Sequence, residues 1–176
     1  MKKAKTELKF KKLPYTIVDQ NNEEQTVQSN AQIPTRATEH SAGVDLYATR
    51  ITQETDNSGK LVLVYHTDLA VEIPKGYFGM LAMKSSVSKR SLTLCNAFGT
   101  IDSDYRGEVI GKFKVTTDAV PTIYAVGEPF AQLIIVPCAI LPIVEAEELS
   151  ETERDTKGFG EATEAKAKEQ ENTDKQ

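Results

Sequence analysis

A chain of 176 residues suffices for one domain with a real core and is short for two. A formal net charge of -5 argues against a general nucleic-acid binder, and no run approaches the ~18 apolar residues of a membrane helix. With two histidines and two cysteines, His40, His66, Cys95 and Cys138, Ser-His-Asp and zinc sites lack parts. The charge is unevenly placed. Residues 2–12 carry six lysines against Glu7, whereas residues 145–176 carry eleven acids against five bases. Both ends read as solvated faces or arms. Met1-Lys2-Lys3-Ala4-Lys5 is basic, but no apolar h-region follows, so no secretory signal is read and a cytoplasmic protein is expected. Each cysteine sits in an apolar run and reads as a buried free thiol.

In chain order, residues 6–13 alternate polar and apolar and predict a first strand with one wet face. A second alternating stretch, Thr16–Asp19, leads to a turn signal at Asn21-Asn22-Glu23-Glu24. Val44-Asp45-Leu46-Tyr47-Ala48 places an acid in a strand just after Gly43. Asn57-Ser58-Gly59-Lys60 is a turn, and Leu61–Thr67 a β-branched strand. Leu69–Ile73 gives a strand closed by Pro74-Lys75-Gly76, and Phe78–Met83 another. Only Val87–Ser91 has room for a short helical turn. Late strands are expected over Pro121–Val126 and Pro129–Leu141, with a turn at Ala125–Pro129. Short strands spaced by turns, without a sustained 3.6-residue period, indicate an all-β barrel or jelly-roll-like sandwich. Glu161–Gln176 nearly lacks large apolar groups and reads as a disordered tail.

The informative stretch is Gly99-Thr100-Ile101-Asp102-Ser103-Asp104-Tyr105-Arg106-Gly107. Its flanks, Leu92–Phe98 and Val109–Val115, are apolar and partly alternating, so it reads as a strand-turn-strand corner. A carboxylate beside a rigid aromatic on such a corner suits general-base chemistry on a flat, sugar-bearing substrate. The simpler reading is an Asp-Ser-Asp turn that satisfies its own backbone. On this stretch alone the simpler reading is favoured.

Four other segments change that balance: Ala42–Ala48, Lys84-Ser85-Ser86-Val87-Ser88, Phe130-Ala131-Gln132-Leu133, and Arg154-Asp155-Thr156-Lys157-Gly158-Phe159-Gly160. Together with Gly99–Gly107 they resemble, in order and spacing, the five motifs of the trimeric dUTPase family of Gram-positive bacterial or phage type. The resemblance spans roughly residues 5–162. Relative to that family, Tyr15–Asn30 looks like an added hairpin or long loop. The resemblance implies a single-domain jelly-roll-like barrel over residues 1–150, a mobile C-terminal arm over 151–163 and a tail over 164–176. It also implies a homotrimer with active sites shared between subunits.

What the resemblance implies for chemistry is hydrolysis of dUTP to dUMP and pyrophosphate, with Mg2+ on the triphosphate. Asp102 would activate the water, Asp104 would brace the turn, and Tyr105 would pack under the deoxyribose and exclude a 2′-hydroxyl. Asn96 and the backbone of Gly99, Thr100 and Ile101 match the hairpin that reads uracil. Lys84, Ser85 and Ser86 match the phosphate-gripping segment, and Gln132 matches a donor to phosphate or water. Asp45 matches an acid that reaches Mg2+ through water. Arg154 would hold the γ-phosphate, and Phe159, between Gly158 and Gly160, would lie over the base. Several positions depart from the pattern. Lys84 and Pro129 stand where arginine is usual, Thr100 where an apolar residue is usual, and Asp155 in place of glycine. Glu161 and Ala162 stand in place of hydroxyl residues.

Two alternatives remain open at this level. The related dCTP deaminases carry a catalytic glutamate about ten residues beyond the motif aspartate, where this chain has Lys112. Phage-encoded family members can also bind a repressor-type protein partner through extra elements, and the Tyr15–Asn30 elaboration would suit that use.

Overall fold

The computed structural model describes residues 7–158 and Thr163. These fall into two units, one ending at Ile140 and the other beginning at Leu141, and each is described by itself. The strands lie in the first. In chain order they are β1 (Lys9–Lys12), β2 (Tyr15–Val18), β3 (Glu24–Val27), β4 (Gly43–Tyr47), β5 (Arg50–Thr55) and β6 (Leu61–His66). Then come β7 (Leu69–Glu72), β8 (Tyr77–Met83), β9 (Leu92–Leu94), β10 (Gly99–Ile101), β11 (Ile110–Val115) and β12 (Pro129–Pro137). A five-residue 3₁₀ turn, Ser85–Lys89, follows β8. This is the all-β, jelly-roll-like architecture expected from short, turn-punctuated strands.

Two four-stranded antiparallel sheets, ordered β10-β8-β12-β4 and β5-β6-β11-β9, share the core. Alternation decides which side chains enter it. In β11, Gly111 and Phe113 point inward while Lys112 and Lys114 face out. Tyr65 from one sheet stacks on Phe130 from the other at 5.0 Å, and Phe113 meets Tyr65 edge-on at 5.2 Å. Each of these fully buried aromatics contributes about 1.5–3 kcal/mol by leaving water. Gly111 is needed here, because a Cβ would come within 2.7 Å of the Phe130 ring. Phe130 is the extra residue of a bulge between Pro129 and Ala131 where β12 pairs with β4. Pro129, as the first residue of β12 beside that bulge, occupies one of the few strand positions that tolerate a missing N–H.

The Tyr15–Asn30 elaboration contains a hairpin, β2 against β3, turned at Asn22 with φ 62°. Asp19 Oδ1 accepts the Asn21 and Glu23 N–H groups at 2.8 and 2.9 Å and closes the turn. Four expectations are corrected. Pro121–Val126 is not a strand: the Ser91 N–H and the Arg90 guanidinium take the Thr122 and Ile123 carbonyls, and Tyr124 turns into the core. Arg50–Thr55 is an additional strand whose outer half is wholly exposed, so it lacks an apolar signature. Gly99–Ile101 belongs to a strand, which shortens the turn to the residues after it. Cys95 is exposed and Cys138 half-buried, so neither thiol is a core group. No described helix is long and apolar enough to cross a membrane.

Candidate active site

β10 pairs with β8, Gly99 opposite Leu81 and Ile101 opposite Gly79, and the chain then leaves the sheet at Asp102. Arg106 holds the turn, its guanidinium donating to the Ser103 and Tyr105 carbonyls at 2.8 Å each. The Tyr105 N–H closes it onto the Asp102 carbonyl at 3.1 Å. Asp104 makes no such contact with the described residues, so Arg106, not Asp104, braces the turn. The Asp102 carboxylate is exposed and accepts no hydrogen bond from any described residue. It lines a cavity of about 260 Å3 together with Asn96, Thr100, Tyr105 and Glu108. A second cavity of about 330 Å3 adjoins it, sharing Asn96, Gly99 and Ile110.

Tyr105 is 44% exposed, so it is not a core side chain. Its ring folds back over Gly107, where a Cβ would collide with the hydroxyl and approach Cζ to 2.5 Å. Its hydroxyl donates to the Glu108 carbonyl at 3.1 Å. A bare glycine and one hydrogen bond therefore set the ring beside Asp102. Thr100 is exposed and paired through its backbone with Met80, so its departure from an apolar type leaves the ladder intact.

On the other side of β8 lies a second set. Asp45 in β4 stands opposite Gln132 in β12, and a bridge from Thr35 fixes the strand there, with the Asp45 N–H donating to the Thr35 carbonyl at 2.9 Å. The Lys84 ammonium, one residue past β8, meets Asp45 Oδ1 at 2.5 Å. Gln132 Nε2 donates to the Met83 carbonyl at 3.3 Å, and Gly43 is bare beside Gln132 Oε1, 2.9 Å from where a Cβ would sit. Ser85 is exposed at the start of the 3₁₀ turn, while Ser86 shares a hydrogen bond of 3.0 Å with the buried Tyr124 hydroxyl. Asp45, Lys84 and Gln132 are thus brought together, and Asn96, Gly99, Thr100, Ile101, Asp102 and Tyr105 form a separate group. The strand order puts β10 and β4 three positions apart, about 14 Å at ~4.8 Å per strand.

In the second unit Arg154 is exposed, its Nε donating to the Lys157 carbonyl at 3.1 Å, and Gly158 is half-buried. Asp155 has φ 48°, the left-handed region in which glycine is at ease. Phe159 and Gly160, with Glu161 and Ala162, lie outside the described residues.

A family model described as dUTPase matches residues 29–163. The chain belongs to the dUTPase family. It is 37% identical over 135 residues to a deoxyuridine 5'-triphosphate nucleotidohydrolase of Caldanaerobacter subterraneus subsp. tengcongensis, covering 73% of this chain and 86% of that one. Among solved structures, a mutant dUTPase of phage 80alpha superposes with TM-score 0.67 at 25% identity, covering 90% of this chain and 99% of that one. Another Staphylococcus bacteriophage 80alpha dUTPase mutant, with dUpNHpp, gives TM-score 0.66 at 26% identity, covering 89% and 98%. The dUTPase match begins near Ser29, so the β2–β3 hairpin precedes it.

Within this dUTPase fold, three supporting residues escaped the reading of the sequence: Arg106, Glu108 and Tyr124. Glu108 follows Gly107 directly and reads as one more surface acid. Tyr124 sits in a segment that looks like a strand, and its contact with Ser86 crosses 38 residues. Neither carries a local signal.

Proposed function

We propose that the chain hydrolyses dUTP to dUMP and pyrophosphate, as a dUTP diphosphatase in which Asp102 takes the proton of a water attacking the α-phosphorus. The bond from that phosphorus to the bridging oxygen breaks, and pyrophosphate leaves with the electron pair. The observation that carries this reading is the Asp102 carboxylate, unpartnered among the described residues and sharing a cavity with Tyr105 and Asn96. A general base must be unencumbered and within reach of its water. Asn96 and the β10 backbone would present the complement of the uracil edge, and a mismatched base would leave groups unpaired at ~1–3 kcal/mol each. Tyr105 would close the space under the 2′ carbon.

Lys84, Ser85, Ser86 and Gln132 would receive the phosphates, with Lys84 exchanging Asp45 for a phosphate oxygen. Mg2+ fits the donor present: Asp45 is a single half-buried carboxylate, suited to an ion that keeps its waters and binds substrate oxygens. When bound, that ion would neutralise triphosphate charge. Arg154 would hold the γ-phosphate, and Phe159 between Gly158 and Gly160 would cover the base.

The two groups flanking β8 favour a homotrimer in which each site takes one group from each of two subunits. Exposed apolar side chains at Ile140, Leu141, Ile143 and Val144, between 74% and 99% accessible in the single chain, support such assembly. A regulatory role alongside catalysis, with a repressor-type partner on the β2–β3 hairpin, is favoured by one observation: Ile17 and Val18 are exposed there. The phage 80alpha relative, studied for its SaPI inducing capacity, points the same way. Pull-down with and without dUTP addresses that role. Pyrophosphate release measured on dUTP, dCTP and UTP tests the catalytic reading. Release from dUTP alone is expected, and turnover of dCTP to dUTP, or no release at all, would overturn it.

A further inference from the structure

Glu108 is half-buried at the end of the Asp102–Gly107 turn, and its carboxylate is gripped from three sides. Oε1 accepts the Asp68 N–H at 2.8 Å, and Oε2 meets the Arg50 guanidinium at 3.2 Å and His66 Nδ1 at 3.1 Å. These partners come from β5, β6 and the turn after β6. They are themselves fixed. Thr52 Oγ1 bonds His66 Nε2 at 3.0 Å, Arg50 Nε faces buried Asp68 Oδ1 at 3.2 Å, and Ser29 Oγ donates to Asp68 Oδ2 at 3.1 Å. Asp68 holds a left-handed φ of 51° while 2% exposed, so its N–H needs the acceptor that Glu108 supplies.

One residue carries both this anchor and the acceptor for Tyr105. The Glu108 carbonyl receives the Tyr105 hydroxyl, and Glu108 lines the same cavity as Asp102. We propose that Glu108 is a positioning residue that fixes Tyr105, and through the turn Asp102, so that deoxyribose selectivity depends on its ion pair with Arg50 and its contact with His66. The proposal rests on the roles of Tyr105 and Asp102 given above. A partly buried ion pair is weak evidence for stability as such. Here its geometric effect is specific, because the anchored carbonyl is the only described acceptor of the Tyr105 hydroxyl.

The test compares kcat/KM for dUTP and for UTP in the wild type, Glu108→Gln and Glu108→Ala, with Glu54→Gln as a control that breaks the exposed 2.6 Å pair to Lys112. Alanine removes all three contacts, whereas glutamine keeps an acceptor for Asp68 but no charge for Arg50. The dUTP-over-UTP ratio should narrow roughly tenfold in alanine, short of the ~10²-fold that a 1 Å misplacement can cost. Glutamine should narrow it less, and the control not at all. An unchanged ratio in both Glu108 variants overturns the proposal whatever the absolute rates, as does an equal shift in the control. A raised KM for dUTP with unchanged kcat and ratio also overturns it, since Glu108 would then bind substrate itself. If the alanine variant does not fold, the glutamine ratio decides. A wild type inactive on dUTP would remove the underlying reading as well, whereas an active wild type with unshifted variants removes only this inference.

Discussion

Two aspartate turns in this molecule look alike in sequence and differ in what their carboxylates do. At Asp56-Asn57-Ser58-Gly59-Lys60, Oδ1 accepts the Ser58 N–H at 2.8 Å, the Ser58 hydroxyl at 2.7 Å and the Lys60 N–H at 3.0 Å. Gly59 supplies the positive φ of 79° that the reversal requires. At Asp102-Ser103-Asp104-Tyr105, neighbours do that bonding: Arg106 holds the carbonyls, Glu108 holds the tyrosine, and the Asp102 carboxylate is left over. A carboxylate that completes its own turn is structural. One relieved of that work by a guanidinium three residues away from the carbonyl it holds can serve a substrate.

The largest effect that would break this contrast is on turnover. Asp102→Asn preserves size and should leave the thermal unfolding midpoint within a degree or two, since no described donor depends on the charge. Its kcat on dUTP should fall by ~10²–10⁴-fold. Asp56→Asn should leave kcat unchanged. Near-normal turnover in the first variant would make both turns structural.

The next effect concerns the aromatic beside the base. Gly107→Ala puts a Cβ where the Tyr105 ring lies, 2.5 Å from Cζ, and the ring must swing away. The expected loss in kcat/KM for dUTP is roughly 10–10²-fold, as for other misplaced groups. Tyr105→Ala should raise UTP hydrolysis relative to dUTP in the same assay. If Gly107→Ala lowers activity while the ratio stays fixed, Tyr105 does not wall the sugar.

Much of the fold was legible because buried strands gather apolar and β-branched residues, in alternation along β8 and β11 and in a continuous run along β6 and β7. β6, β7, β8, β11 and β12 all fall where apolar and β-branched residues cluster, within a residue or two at most ends. β5 was not legible, because a strand exposed over Thr52–Thr55 needs no apolar face. Pro121–Val126 misled for the opposite reason: its β-branched residues look like a strand, while Arg90 and Ser91 consume its carbonyls from outside. Of the candidate site, motif order located Asp102, Tyr105, Asp45 and Lys84. The pairing of Lys84 with Asp45, and the anchoring of the Asp102 turn by Arg106 and Glu108, depend on side chains that meet only after folding. Local sequence does not encode them.

A smaller effect probes the second group of site residues. Tyr124→Phe deletes the hydroxyl bonded to Ser86 while keeping the buried ring and its packing under the Arg90 guanidinium at 4.7 Å. The lost bond is worth about 1 kcal/mol, so KM for dUTP should rise a few-fold if Ser86 grips phosphate. Unaltered KM with a lowered melting temperature would assign that hydrogen bond to stability alone.

The smallest effect lies in the pH dependence of stability, and it sharpens the contrast from the structural side. The Ser58 hydroxyl, then the Lys60 N–H, hold the Asp56 carboxyl well below its ordinary 3.8, at about 2. A depressed folded-state value means that the unfolded chain binds the proton more readily. The stabilisation is therefore fully present above the unfolded value and fades as pH falls from about 4 through about 2. Asp56→Asn should show a lower melting temperature than the wild type at pH 6 and a difference that shrinks on acidification to pH 2–3. Asp102→Asn, lacking turn contacts to its carboxylate, should keep a melting temperature close to that of the wild type at pH 6. Because Asp56 lies at the surface, added salt should shrink its Coulombic share, the Lys114 ammonium 3.7 Å away, more than the hydrogen-bonded share. If the Asp56→Asn difference is flat across pH 2–6, the hydrogen bonds rather than the charge carry that turn. If Asp102→Asn is instead destabilised at pH 6 as much as Asp56→Asn, its carboxylate is also structurally engaged, and the distinction between the two turns fails.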